Sequence, residues 1–572
     1  MDEQEIIEFS KNFSLLWPAN IDPTDYQDQE KLTRKCVDNL GLKQIARELC
    51  YNDKHYYDVR KLLVNLCDEP QVIQYRLDIM EDFLDHPKLI EGFEEIFELI
   101  DKIQKYEKPE SKMENDRLVN TAWRLKMLDI YAECMEKIDD LFSGIEDLNS
   151  RGLNELYNFV QEIITSELFQ SLQKKLPELK EQFDQLSSVT IGINLNAQLK
   201  PEEAVFLSIE PEKYQKQSFF SRLFNTESNR DEFQGVSGVQ NILTKDNEYK
   251  NVRQGIFKEL NEIFEKVLIP IGKAISRYVH YREKFLLNMK RELYFYIGAS
   301  RTIKNLKQLG LKMCKPEPLA ASERITRIQD LTDLTLALGL IEDKKREKEK
   351  KDVSLEELDL DLGAEIVPND ITFDDRGRIF ILTGPNQGGK TTFTRAVGIA
   401  QVLFQAGLYI PGSRAQISPA NRVYTHFTEK EEPNTRDGRL GKESRRLSRL
   451  IRESTRNSLI LMNESLSSTS PGESLYLLKN IVKGLRIMGC RVILTTHLHT
   501  LAQNIEEINS EVEGDSKVRS LVAEVDRNTE DENIRARRTF KIVPKPPEGK
   551  SYARDIAYKY GISLEQIMEK ID

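Results

Sequence analysis

Over the first 187 residues, apolar positions recur three and four apart with Glu and Lys between them, as in IEGFEEIFELIDKIQKY (90–106). That spacing gathers apolar side chains on one face of a helix. It predicts a long series of amphipathic helices, with hardly a break from 111 to 187. The pattern changes at SSVTIGINLNAQ (187–198), where β-branched and small residues alternate, and VFLSIE (205–210) reads as a returning strand. A mixed polar, glycine and aromatic tract (213–240) follows, and amphipathic helix resumes near Lys250 and runs to about Lys312. Two helical arms thus carry a small strand-containing insert. MCKPEPLAASE (313–323) punctuates the chain before one more helix, expected to end near Leu340. EDKKREKEKKD (342–352) then passes straight into the acidic EELDLDLGAE (356–365), the pattern of a solvated linker or an exposed helix end.

From 366 the texture changes again. IFILTG (379–384), SLILMNES (458–465) and RVILTTH (491–497) are short, unbroken apolar runs separated by helical stretches. Strands buried on both faces read this way, so a doubly wound, mainly parallel sheet is expected. The fold class is therefore α + α/β. The expected divisions are a helical core with ascending arm (1–187), the insert (188–255), a descending helical arm (256–340), a charged linker (341–365) and the α/β domain (366–572).

Composition narrows the field. With 572 residues the chain is long enough for several cores without disulfide support. No stretch approaches the roughly 18 uninterrupted apolar residues of a membrane span, so no membrane partner is expected. The start, MDEQEIIEFSKNF, lacks a basic-then-apolar leader pattern. Six cysteines lie far apart with no CxxC pair, as reduced thiols of a cytoplasmic protein do. A net charge of −11 argues against indiscriminate coating of nucleic acid, so any nucleic-acid partner needs a local basic surface.

Three motifs carry chemistry. GPNQGGKT (384–391) follows an apolar strand and opens a helix, which is the context a phosphate-cradling loop requires. Gly384, Pro385, Asn386, Gln387, Gly388, Gly389, Lys390, Thr391 and Thr392 form the candidate nucleotide-binding set. Loop and helix N-terminal N–H groups would face phosphate oxygens of ATP, Lys390 would neutralise the β/γ charge, and Thr391 would ligate Mg²⁺. In SLILMNES, an apolar strand ends in two polar residues at the carboxyl edge of the sheet. Glu464 there can orient or deprotonate water. Asn463 stands where most such ATPases have an aspartate holding a magnesium-bound water, so slow turnover is expected. His497, closing TTH at the end of the third apolar run, can hydrogen-bond a γ-phosphate and sense its loss. The candidate catalytic residues are Glu464, His497 and Lys390.

TGPNQGGKTTFTRAVG, NESLSSTSPGES and LTTHLHTLA together resemble the ATPase domain of the MutS family of DNA mismatch-repair and recombination proteins. IVPNDITF (366–373) and EGKSYARDIAYKYGIS (548–563) are similar to that family's flanking segments, and EPQVIQYRLDIMEDFLDHPKL (69–89) weakly resembles the start of its helical core. The resemblance implies a homodimeric, ATP-hydrolysing clamp on mismatched or branched double-stranded DNA. It also implies composite sites, in which Ser468 and Thr469 of LSSTS (466–470) and Ser444 of RLGKES (439–444), where the family has a signature loop, serve the opposing subunit.

Two departures shape the expectation. Too few residues precede Glu69 for the family's DNA-reading and connector domains, and the chain stops after the ATPase segment without a dimerisation appendage or nuclease tail. A Phe-x-Glu tripeptide at Phe93–Glu95 sits in an amphipathic helix, where Phe93 reads as core. The insert lies where the family has its clamp. Lys213, Lys216, Arg222, Arg230, Lys250 and Arg253, interleaved with aromatic residues, are its candidate phosphate contacts, diluted by neighbouring acids. The alternative reading is a nucleotide-switched protein-interaction module without DNA contact, which the salt dependence of DNA binding separates from the first.

Overall fold

In the computed structural model, the residues described are 8–9, 12–23, 30–107, 117–184, 188–199, 201–210, 283–349, 360–428, 439–467, 469–526, 537–547 and 564–568. The chain forms two compact units, one of residues 1–12, 91–146 and 155–290, the other of 13–90, 147–154 and 291–572.

In the first unit, helix Arg117–Ser143, helix Arg151–Thr165 from residue 155 onward and helix Glu167–Asp184 follow one another as the apolar spacing predicts. Phe93 is fully buried and meets Phe142 edge-on at 6.0 Å, and Phe142 stacks on Tyr157 at 5.4 Å. Phe93 is therefore core. The expected pair of strands forms an antiparallel hairpin, β1 (Ser188–Leu195) and β2 (Pro201–Glu210). Residues 211–282, which include all six candidate DNA contacts, lie outside the described residues.

In the second unit, α1 (Arg34–Asn39) precedes a group of helices, and β3 (Met313–Cys314), β4 (Glu317–Pro318) and β5 (Thr326–Leu331) lead into α2 (Leu334–Glu349). The chain continues through β6 (Asn369–Phe373) and β7 (Ile379–Thr383) to α3 (Lys390–Gln405). It then passes β8 (Ile410–Pro411), β9 (Arg414–Ile417) and β10 (Val423–Phe427) to α4 (Arg439–Glu453). β11 (Leu459–Asn463), α5 (Pro471–Met488), β12 (Arg491–Thr495), β13 (Val518–Asp526) and β14 (Arg537–Val543) follow.

Six strands join in the order β10-β11-β12-β7-β13-β14, the first five parallel and β14 antiparallel to β13. Every residue of β7, β11 and β12 is buried, because helices cover both faces. Ile460, Met462, Val492 and Leu494 pack into one core with Leu478, Val482 and Leu485 of α5. On the other face α3 approaches so closely at Gly398 that an added Cβ would lie 2.6 Å from Leu461 and 2.7 Å from Leu40. Parallel crossovers bring the carboxyl ends of β7, β11 and β12 side by side. That edge carries all three motifs.

One expectation is corrected. The single helix expected from 323 to Leu340 is instead strand β5 followed by α2, with β5 lying between β9 and β6 in a four-stranded sheet, β4-β9-β5-β6. Burial alternates along TRIQDL as a half-covered strand requires. Asp333 then starts α2, accepting from Thr335 N at 2.9 Å, while its other oxygen holds Arg395 of α3 at 2.6 Å. The charged run at 342–349 continues α2 as an exposed helix end, with Glu342 and Arg346 paired four apart. Among the described residues, no helix is long and apolar enough to cross a membrane.

Candidate active site

β7 delivers the chain to Gly384, whose φ of +138° and contact with β13 (an added Cβ would lie 2.7 Å from Ala523 Cβ) exclude any side chain. The loop closes at Gly389, φ +90°, which starts α3 with no capping side chain. The N–H groups of the helix's first turn are thus left for an outside acceptor, with the helix dipole favouring an anion. Lys390 is buried beneath this loop. Its Nζ donates to Gly384 O at 3.0 Å and Pro385 O at 2.7 Å, two backbone carbonyls of the loop itself. Burial pushes its ammonium down to about 8, with Glu464 opposing that shift and Arg538 adding to it.

β11 ends at Asn463, whose Oδ1 accepts from Thr391 Oγ1 at 3.1 Å. Two oxygens from two motifs therefore meet at the start of α3. Glu464 follows in a left-handed conformation, φ +53°, with its N–H donating to Thr495 O of β12 at 2.9 Å. Its Oε1 lies 2.7 Å from His497 Nε2. That hydrogen bond, opposed by burial, holds the Glu464 carboxyl below the usual glutamate range, so it is ionised at neutral pH. His499 titrates below the ordinary histidine range because it is partly buried and faces His497 and Lys390.

A cleft of about 390 Å³ runs along the loop. Asn386, Gln387, Gly388, Gly389, Lys390, Thr391, Thr392 and Glu464 form its polar side. Leu331, Leu336, Ile366, Val367 and Phe540 form its apolar side. The apolar wall was not singled out from sequence. In the sequence IVPNDITF reads only as a flanking segment, and nothing local to RTFKIV places Phe540 beside a loop some 150 residues away. The structure, not the sequence, marks this residue: Phe540 takes a positive φ of +57° and remains 47% exposed, unusual for a phenylalanine in a strand. Arg538, also unflagged, donates from Nη1 to Gln387 Oε1 at 2.8 Å and steadies the loop.

Lys390, Thr391, Asn463, Glu464 and His497 are thus gathered at one edge. Others are not. Ser444 lies on the exposed side of α4, in a helix rather than a loop, and is not among the residues lining the cleft. Thr469 hydrogen-bonds the Glu473 side chain, next to Ser470, which caps α5. Ser468 falls outside the described residues.

A family model described as "MutS2 N-terminal domain" matches residues 68–309, and one described as "MutS domain V" matches residues 380–562. Among curated relatives, a DNA mismatch repair protein MutS of Prochlorococcus marinus (strain MIT 9301) is 32% identical over 136 residues, 24% of this chain and 15% of that protein. An Endonuclease MutS2 of Thermus thermophilus is 27% identical over 206 residues, 36% of this chain and 26% of its own length. A DNA mismatch repair protein MutS of Rhodopirellula baltica is 27% identical over 333 residues, 55% of this chain and 33% of its own. The chain therefore spans no more than a third of the length of these relatives.

Proposed function

The chain belongs to the MutS family, and from that premise we propose that it is an ATP-hydrolysing, DNA-binding protein of the mismatch-repair or recombination kind, acting in the cytoplasm as a homodimer. The observation that carries the reading is Lys390: a buried cation bonded, among the described residues, to two loop carbonyls under a glycine loop, facing an ionised Glu464 across one cleft.

ATP entering the cleft lays its triphosphate along 384–391, where loop N–H groups and the uncapped start of α3 accept it. Lys390 exchanges the carbonyls of Gly384 and Pro385 for β- and γ-phosphate oxygens and recovers its full charge. The base takes the apolar side, between Ile366, Val367 and Phe540. Glu464, fixed by His497, accepts a hydrogen bond from a water and orients it towards the γ-phosphorus. A carboxylate held below the ordinary glutamate range is a weaker base than usual, so orientation is its larger contribution. His497 hydrogen-bonds the γ-phosphate and loses a partner when phosphate leaves.

The oxygens of Thr391 and Asn463 suit a hard cation, and they would hold Mg²⁺, directly and through water. When bound, Mg²⁺ supplies neutralisation of the phosphate charge. Asn463 brings no negative charge to that cation, which favours slow turnover. Ser444, Ser468 and Thr469 serve the opposing subunit's nucleotide, and Lys213, Lys216, Arg222, Arg230, Lys250 and Arg253 meet the phosphates of mismatched or branched duplex.

Two measurements test this. Lys390→Ala should abolish ATP binding, and Glu464→Gln should bind ATP but cease to hydrolyse it; undiminished turnover in both would end the ATPase reading. A filter-binding series of homoduplex, mismatched and branched DNA, with and without ATP, should show salt-sensitive retention. ATP turnover with no DNA retained at low salt would favour the protein-interaction module.

A further inference from the structure

Glu464 and Leu466 both adopt left-handed φ values, +53° and +59°, so the chain leaving β11 is bent in a way neither residue favours alone. Something outside must hold it. The Glu464 N–H bond to Thr495 O fixes one side of the bend, and Ser474 Oγ donates to Leu466 O at 2.6 Å on the other. The remaining ties come from β10, the neighbouring edge strand. Thr428, just past its end, places Oγ1 at 3.2 Å from Asn463 O and 3.4 Å from Glu464 O, one hydroxyl proton shared by the two carbonyls that bracket the bend.

Two residues earlier, buried His426 reaches Ser465. Its Nδ1 lies 2.7 Å from Ser465 Oγ, and the same Oγ lies 3.3 Å from the His426 carbonyl. Ser465 has one hydroxyl proton. Both contacts are satisfied when Nδ1–H donates to Oγ and the hydroxyl donates to the carbonyl, so a single ring tautomer closes the pair. β10 is itself anchored: Asn39 Nδ2 donates to Thr425 Oγ1 at 2.9 Å and Cys36 Sγ reaches Val423 O at 3.5 Å, both from α1.

We infer that His426, Thr428 and Ser465 are positioning residues: they lock the bend at 463–466 so that the Glu464 carboxylate points at His497 and the cleft. The inference rests on the ATPase reading and deepens it, because it assigns the direction of the water-orienting carboxylate to hydrogen bonds from β10. None of the three lines the cleft, so each acts through Glu464. A displacement of a fraction of an ångström there lowers the rate without touching the groups that bind nucleotide.

Thr428→Val keeps the side chain's shape, removes the donor to both carbonyls, and sits at an exposed position where folding is not at risk. It should lower kcat about tenfold, the effect of one net hydrogen bond on the barrier, with ATP affinity within about twofold of the parent. Ser465→Ala should act in the same direction. Thr428→Ser, which restores the hydroxyl, should return most of the rate. In a Glu464→Gln background, which binds ATP without hydrolysing it, Thr428→Val should leave ATP affinity within about twofold, since only the direction of the carboxylate is at stake; a purely structural effect would weaken binding there as well. If Glu464→Gln is inactive while Thr428→Val and Ser465→Ala turn over at the parental kcat, this inference falls and the ATPase reading stands. Equal losses of affinity and kcat in Thr428→Val would also overturn it. If Glu464→Gln hydrolyses ATP as the parent does, the ATPase reading fails and takes the inference with it.

Discussion

Burial pushes the Lys390 ammonium down to about 8, so in the free protein this side chain is largely neutral in mildly alkaline solution. A triphosphate beside it favours the cation again. Binding above pH 8 must then draw a proton from solution, and the sign follows: ATP affinity is highest below about 8 and weakens as pH rises past it, approaching tenfold per unit. Titration calorimetry at pH 8.5 in two buffers of different ionisation heat should give different apparent enthalpies; identical enthalpies would mean Lys390 takes up no proton. Asn463 supplies a second test at this scale. Asn463→Asp keeps the acceptor for Thr391 and adds a negative charge at a nearly buried position, so the Mg²⁺ concentration for half-maximal ATPase should fall. An unchanged Mg²⁺ requirement would remove Asn463 from the cation's surroundings.

Among the elements, the segment Phe13–Trp17 has no regular structure and is held instead by side-chain hydrogen bonds. Tyr75 donates to Ser14 O, Tyr296 to Leu15 O and Arg76 to Leu16 O, while Glu292 accepts from Ser14 Oγ and Leu15 N, both at 2.6 Å. Burial pushes the Glu292 carboxyl up to about 7 against the pull of those donors and of Arg76. Between about 4.5 and 7 the folded chain keeps this proton and the unfolded chain does not. Stability contributed by this group is therefore greatest below about 4.5, is lost as pH rises towards 7, and amounts to about 3 kcal/mol. Urea unfolding of parent and Glu292→Gln should differ in pH slope over that window, the variant being flatter; parallel slopes would show that Glu292 titrates normally. No sequence pattern announces this segment, because its bonds run from backbone groups to side chains some 60 and 280 residues away. β7, β11 and β12 were legible for the opposite reason: a strand covered on both faces must be apolar throughout, and such runs are hard to mistake. β5 was missed because TRIQDL carries only two aliphatic residues, Ile328 and Leu331, and runs almost directly into α2, so that their spacing of three reads as the first turn of that helix.

At the scale of the whole molecule, the loop, Glu464 and His497 were readable because each motif ends a strand, and parallel order carries strand ends to one edge. The apolar wall with Phe540 was not, since only the antiparallel pairing of β14 with β13 at the sheet's edge puts it there. Ser444 tests what lies beyond one chain. It is exposed on α4 and does not line its own cleft, as a residue serving a neighbour's nucleotide must be. If it acts in trans, mixing Lys390→Ala subunits with Ser444→Ala subunits builds dimers with one site broken twice and the other intact. Random pairing makes half the dimers mixed, each with one of two sites working, so about a quarter of the parental ATPase should return where neither variant alone has any. Subunit exchange must be shown separately, by co-purification of differently tagged chains. Exchanged mixtures with no activity would place Ser444 outside any shared site. Activity retained by Ser444→Ala alone would show that this serine contributes nothing to turnover in either subunit.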